Sequence, residues 1–320
     1  MKSIFPLAGA ALLFCAGPLQ AAEGKVGQVQ QVAPGVYFHE GDLKASGHCN
    51  HGWIVFEDFV LVVDGNFPSG ALEVLPKIKA TTDKPIRFVV DTHHHGDHAY
   101  GNQVWLENGV TPVAHQGALD EMKKYETGHF GGKPGRWEFA AKAREDMRKS
   151  KLRPPIVLFE TKLVFDDGKR RVELLHLGTA HTQGDTFVWL PREKILFTGD
   201  ACVNGPYNYV GDGNSLKWVQ TLEAAKKLGA TRVCPGHGPH ASGALLDDQM
   251  AYFRELQAQV RELAKTVKTP EAARERAKDV GMAIRKKEPI ARYVGDFIEA
   301  QVEKAFTELT GVAPKDKEEK

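Results

Sequence analysis

Residues 93–98 read His-His-His-Gly-Asp-His and follow a β-branched run, Arg87-Phe88-Val89-Val90. Four side chains able to give a lone pair to a cation, His93, His95, Asp97 and His98, therefore stand within six positions. Neutral imidazole and carboxylate suit zinc and similar borderline ions, and iron or manganese fits the same donor set. Alternation along an extended segment aims His93 and His95 the same way, while Asp97 and His98 fall on a turn and can face a second ion. The competing reading is a solvated histidine-rich loop. Against it stand three further residues, each in a tight glycine-containing turn after an apolar run: His181 in Gly178-Thr-Ala-His-Thr-Gln-Gly-Asp185, Asp200 in Leu196-Phe-Thr-Gly-Asp200 and His237 in Val233-Cys-Pro-Gly-His-Gly238. Turns at strand ends are where functional side chains collect on a rigid frame.

The elements that must hold these residues are legible in outline. Residues 35–39, 52–56 and 60–65 alternate or run apolar between turn signals and predict strands in a hairpin-rich beginning. Apolar residues at helical spacing predict helices over 70–80 and 117–125, with a short strand over 110–114. A second β-rich series follows at 156–159, 162–165, 171–176, 186–190 and 194–197, then a helix over 215–228 and the strand 231–234 that delivers His237. Between the two halves, residues 126–154 are polar and glycine-rich, with a charged helical stretch reaching about Lys149. This segment reads as a lid over the metal cleft or as a solvated excursion; in a lid, His129 and Trp137 are the residues that would reach inward. Beyond 240 the pattern is helical, at 244–267 and 289–309, and these helices either pack on the domain or pair two copies of the chain.

Lys plus Arg number 42 against 41 for Asp plus Glu, which gives no electrostatic footprint for a nucleic acid. A small-molecule substrate is expected instead. With 320 residues, 42% of them hydrophobic, the chain can build one large core with appendages. Residues 1–21 carry Lys2, an apolar stretch from Leu7 to Ala16, a Gly17-Pro18 break and small residues at Ala21 and Ala22, the pattern of a secretory signal too short to span a bilayer. The expected address is the bacterial periplasm or beyond, with no membrane span in the mature chain. Only Cys49, Cys202 and Cys234 follow this segment, an odd number that spells no disulfide framework. Residues 314–320 are nearly all charged and predict a disordered tail.

H-x-H-x-D-H at 93–98, H-T-x-G-D at 181–185, T-G-D at 198–200 and G-H-G at 236–238, in that order, resemble the metallo-β-lactamase superfamily. The resemblance covers about residues 30–240 and implies an α/β fold, an αββα sandwich over 28–242, with 243–313 as a C-terminal helical extension. It implies one ion on His93, His95 and His181, a second on Asp97, His98 and His237, and Asp200 bridging the pair. It also implies a dinuclear zinc hydrolase in which a hydroxide shared by the ions is the nucleophile, with Asp97 as orienter or proton carrier. Asp64, ending an apolar strand, matches the family's position beneath the metal loop and either orients a ligand or caps a turn.

Within that family the substrate is less sharply drawn. In the lactamase branch with a bridging cysteine, a lysine three residues later binds the substrate carboxylate; here these positions are Asp200 and Val203, leaving Asn204, Lys217 or a residue of 126–154 for that task. The basic, cysteine-containing segment expected of glyoxalase II-like thioesterases is replaced by Ala201 to Tyr209. Asn204-Gly-Pro-Tyr207, with Asp212-Gly-Asn and Trp218, resembles instead a general exported hydrolase branch. That branch includes lactamase-like enzymes and proteins of periplasmic quinoprotein or sulfur oxidation systems. Asn204 and Tyr207 are pocket candidates close to the bridge, or simply build the turn at Gly205-Pro206. The expected activity is hydrolysis of an amide, lactam, lactone or thioester, β-lactams included. The competing readings are a thioesterase, a mononuclear-iron sulfur dioxygenase, and an accessory protein of an oxidation system.

Overall fold

The computed structural model describes residues 25–315. The signal-like segment 1–21 and residues 316–320 of the charged tail lie outside the described residues. Among the described residues, thirteen strands form two sheets. The first holds β1 (Val29–Ala33), β2 (Val36–His39), β3 (His51–Val55), β4 (Val60–Val63), β5 (Ile86–Asp91), β6 (Thr111–His115) and β7 (Val157–Phe159) in chain order. The second runs β13 (Ala241–Ser242), β12 (Arg232–Cys234), β11 (Ile195–Phe197), β10 (Phe187–Leu190), β9 (Arg171–Leu175) and β8 (Lys162–Asp166). Each sheet begins as antiparallel hairpins and turns parallel where the metal-ligand motifs lie, at β4 to β7 and at β11 beside β12.

The two-residue period of a strand explains the layering. In β4, Leu61 and Val63 point between the sheets, whereas Val60 and Val62 face helices outside. The helix Pro68–Lys79 covers that outer face with Ala71, Val74 and Ile78. In β10, Val188 and Leu190 face the first sheet, while Phe187 and Trp189 pack beneath the helices Ser215–Lys226 and Ala244–Leu263. Helix, sheet, sheet and helix thus stack as the αββα arrangement, with apolar residues filling all three interfaces.

The C-terminal helices are part of this core. Tyr252, Phe253, Tyr293, Val302 and Phe306 are buried in one cluster with Trp218 and Leu196. The predicted helix over 289–309 begins only at Ile298; the residues before it form a short 3-10 turn, Ile290–Tyr293, set off by Pro289 and Gly295. Two intervening helices, Pro270–Glu275 and Ala277–Ile284, are too short for periodicity to single out. The segment 126–154 forms three short helices, Thr127–Phe130, Arg136–Ala143 and Glu145–Arg148, where one charged stretch was expected. His129 does not reach inward, being exposed, and Trp137 packs on Tyr100, Met147 and Leu152, away from the metal ligands. Among the described residues no helix is long and apolar enough to cross a membrane.

Candidate metal centre

The parallel strands deliver the motifs to one edge of the sandwich. β5 ends at Asp91 and runs into Thr92–His95 and the short helix Gly96–Ala99, which carries Asp97 and His98. β11 ends in the 3-10 turn Gly199–Ala201 with Asp200, and its parallel neighbour β12 ends three residues before His237. His181 comes from the loop between β9 and β10. That loop is closed by Asp185, whose carboxylate accepts from the amides of Ala180 and Thr182 and, at 2.7 Å, from the Thr182 hydroxyl. Asn50 ties the His237 loop to β3, its side-chain amide donating to the carbonyls of Pro235 and Gly238 at 2.8 Å each.

Neighbouring groups fix which ring nitrogens are bare. His181 Nδ1 lies 2.9 Å from the Tyr209 carbonyl, an acceptor, so the proton sits there and Nε2 carries the lone pair. His95 Nε2 lies 2.8 Å from the Asp212 carboxylate, which leaves Nδ1 bare. These two bare nitrogens face each other at 2.8 Å. His93 Nδ1 lies 3.2 Å from a Thr92 hydroxyl whose own proton goes to Asp64, and its buried Nε2 has no partner. Two lone pairs at that separation repel unless a cation lies between them, and three converging ring nitrogens are what such an ion requires. His93, His95 and His181 place one ligand atom each within 4.8 Å of one another.

A second set adjoins the first. His98 Nδ1 stands 3.1 Å from Asp64 Oδ2, so its Nε2 faces Asp97 Oδ2 at 3.5 Å and Asp200 Oδ1 at 3.4 Å. His237 Nε2 lies 3.1 Å from Asp97 Oδ2 and 3.4 Å from Asp200 Oδ2. The same Asp200 Oδ2 lies 3.6 Å from His181 Nε2, so this one carboxylate faces ligands of both sets. Burial, then the nearby His95 ring, hold His181 down at about 3, which keeps it neutral. Burial works against protonation of His237 too, yet Asp200 and Asp97 outweigh it and push that ring up to about 9. The two carboxylates thus favour positive charge at this point.

Every ligand inferred from sequence is in this cluster. Asp64 stands where an orienting carboxylate would: besides lying beside His98 Nδ1 it accepts from Thr92 N and Oγ1 at 2.9 and 2.7 Å, and it does so with φ at +69°. Asp and Asn tolerate that left-handed conformation, and such strain gathers where a site over-determines the backbone. The buried, non-solvated histidines rule out a floppy histidine-rich loop, since His93 and His98 are 1% and 0% exposed. Tyr207 lies at the rim, its ring 5.9 Å from that of His237. Asn204 takes a structural part: its side-chain amide donates to the carbonyl of Pro239 and its backbone N–H to that of His237, so it buttresses the His237 loop. Lys217 is exposed on the helix Ser215–Lys226, and Val203 is buried in the core. Cys202 and Cys234 are buried apolar fillers, while Cys49 lies with Asp64 and His98 behind the site. Sequence reasoning missed Asn50, Arg136 and Asp212 as supports, for their partners are distant along the chain; Asp185, which closes H-T-x-G-D on Ala180 and Thr182, carried a local signal that was not read as a support. A roomy cavity of about 790 Å³ beside His48, Ser69 and Arg144 contains none of the ligands, and the chemistry belongs to the histidine cluster, where the lone pairs converge.

Two packed sheets with seven His and Asp side chains gathered at one edge define a candidate metal-binding site. Residues 46–237 match the profile of the metallo-beta-lactamase superfamily, and the chain belongs to that family. Among its relatives, a beta-lactamase-like protein 2 homolog of Caenorhabditis elegans is 23% identical over 62% of this chain, which spans 58% of that protein's length. A metallo-beta-lactamase type 2 of Pseudomonas aeruginosa is 24% identical over 70% of this chain and 81% of its own. A solved metallo-beta-lactamase from Pontibacter korlensis shares the fold with a TM-score of 0.57 at 20% identity, covering 71% of this chain and 98% of that one.

Proposed function

We propose that the chain is a dinuclear, zinc-dependent hydrolase of a carbonyl substrate: an amide, lactam, lactone or thioester. The observation that carries this reading is the convergence of bare histidine nitrogens in two adjoining sets with Asp200 facing both. His93, His95 and His181 would hold one ion; Asp97, His98 and His237 the other; Asp200 would offset the repulsion between them. When bound, such ions bring the pKa of water toward neutrality and polarise a carbonyl oxygen, so no serine or cysteine nucleophile is needed. The chain's own residues then orient and move protons. Asp97, with its side chain 22% exposed and one oxygen turned to His237 and His98, has its other oxygen free to accept a proton from the nucleophile and return it to the leaving group. Tyr207 offers a phenol at the rim.

A β-lactam is the most concrete substrate within this class, and four relatives bear metallo-beta-lactamase names. The carboxylate-binding lysine of the bridging-cysteine branch is absent, because Val203 is buried where it would stand. The signal-like residues 1–21 favour a periplasmic address for this activity. The test is hydrolysis of a chromogenic cephalosporin by the zinc-loaded protein, with and without chelator, alongside a lactone and a thioester. Chelator-sensitive turnover of the cephalosporin supports the lactam reading, and turnover of the thioester alone moves the enzyme to that class. A single iron with oxygen uptake on a persulfide would replace the hydrolase reading by the dioxygenase one.

A further inference from the structure

His95 is held from behind by a pair of residues that no motif marks. Asp212 Oδ2 lies 2.8 Å from His95 Nε2 and 3.5 Å from His94 Nε2, and the Asp212 side chain is only 3% exposed. Arg136, the first residue of its helix in the 126–154 segment, grips the same carboxylate with both fork nitrogens, at 2.7 and 3.0 Å. Its guanidinium is in turn laid on the Tyr125 ring, 3.5 Å from the centroid, and that ring stacks on His94 at 5.5 Å. A bidentate fork fixes the plane of a carboxylate as well as its charge, so it sets the direction in which Oδ2 meets the His95 ring. The ring can present either nitrogen to an ion; only the Nε2–H tautomer leaves Nδ1 aimed at His181 Nε2.

We propose that Arg136 and Asp212 are positioning residues that lock His95 for the ion held with His93 and His181, so that loading of this one subsite depends on the 126–154 segment being seated. The inference rests on the metal reading above. It gives that segment a role on the ligand itself, through a residue 76 positions from its partner in sequence. A cation at the His94, His95 and Asp212 group is not required, because the guanidinium already supplies the positive charge there.

The experiment is titration of the metal-free protein with Co2+ in competition with a chromogenic chelator, reading affinity for each equivalent together with the visible absorption of the bound ion. Unaltered protein, Arg136→Ala, Arg136→Lys, Asp212→Asn and Asp212→Ala are compared, with metal-free thermal midpoints as the folding control. In Arg136→Ala and Asp212→Asn, one of two equivalents should weaken by about 10- to 100-fold with an altered Co2+ spectrum, the other staying as in the parent. Arg136→Lys keeps the charge but loses the fork, and should restore only part of the affinity. Two equivalents bound by these variants with parental affinity and spectrum would overturn the clamp while leaving the metal centre in place. Absence of Co2+ uptake by the unaltered protein would overturn the metal reading itself.

Discussion

Gly236 lies against Asp200, and adding one carbon there tests the proposed bridge without replacing a ligand. A Cβ at this position would strike Asp200 Oδ1 and lie 2.7 Å from the Gly199 carbonyl carbon and 2.9 Å from Asp200 N, below the 3.0 Å that real Cβ atoms respect. Two of these three neighbours are backbone, so the clash cannot be relieved by swinging a flexible side chain. The Asp200 carboxylate must retreat by about 1 Å, and a displacement of that size at a reacting centre costs on the order of 100-fold in rate. Because Asp200 now stands 3.4 Å from both His98 and His237, a retreat opens both contacts together. Gly236→Ala should therefore drop from two bound equivalents toward one, measured by elemental analysis after gel filtration, and lose about 100-fold of any chelator-sensitive hydrolysis. Two zinc ions retained with parental affinity and turnover would refute the bridging role of Asp200.

Other perturbations reach different parts of the argument. His95→Ala and Asp97→Ala should each abolish hydrolysis while leaving the far-ultraviolet circular dichroism unchanged; unaltered turnover in either would sink the proposed ligand and proton-transfer roles. Phe306→Ala, at a side chain 1% exposed in the core shared with Trp218, should cost about 3–5 kcal/mol in urea unfolding, whereas a loosely docked extension would show almost no shift in midpoint. Burial, then Arg232, hold His240 down at about 4, and burial, then Lys77, do the same for His39. The unfolded chain takes up these protons near 6.5 and the folded one only near 4, so the stability that these two rings contribute to the metal-free protein is fully present above pH 6.5 and is lost as pH falls from there to about 4. His240→Gln should flatten the fall in urea midpoint over that range, and an unchanged slope would remove His240 from the account.

By itself the sequence determined the candidate metal ligands and the rhythm of the elements. Ligand identity is a local property: six residues after β5 and three glycine turns are enough to name His93, His95, Asp97, His98, His181, Asp200 and His237. Strands such as β4 are legible for the same reason, since a run of apolar β-branched residues says what buries it whatever its neighbours are. Tertiary structure alone decided which nitrogen His95, His98 and His181 present, because that depends on Asp212, Asp64 and Tyr209 arriving from other loops. It also decided that Arg136, rather than His129 or Trp137, is the residue by which the 126–154 segment meets the site. A polar residue reads as solvated until its partner is known, and a partner 76 positions away leaves no periodicity or spacing in the chain to announce it.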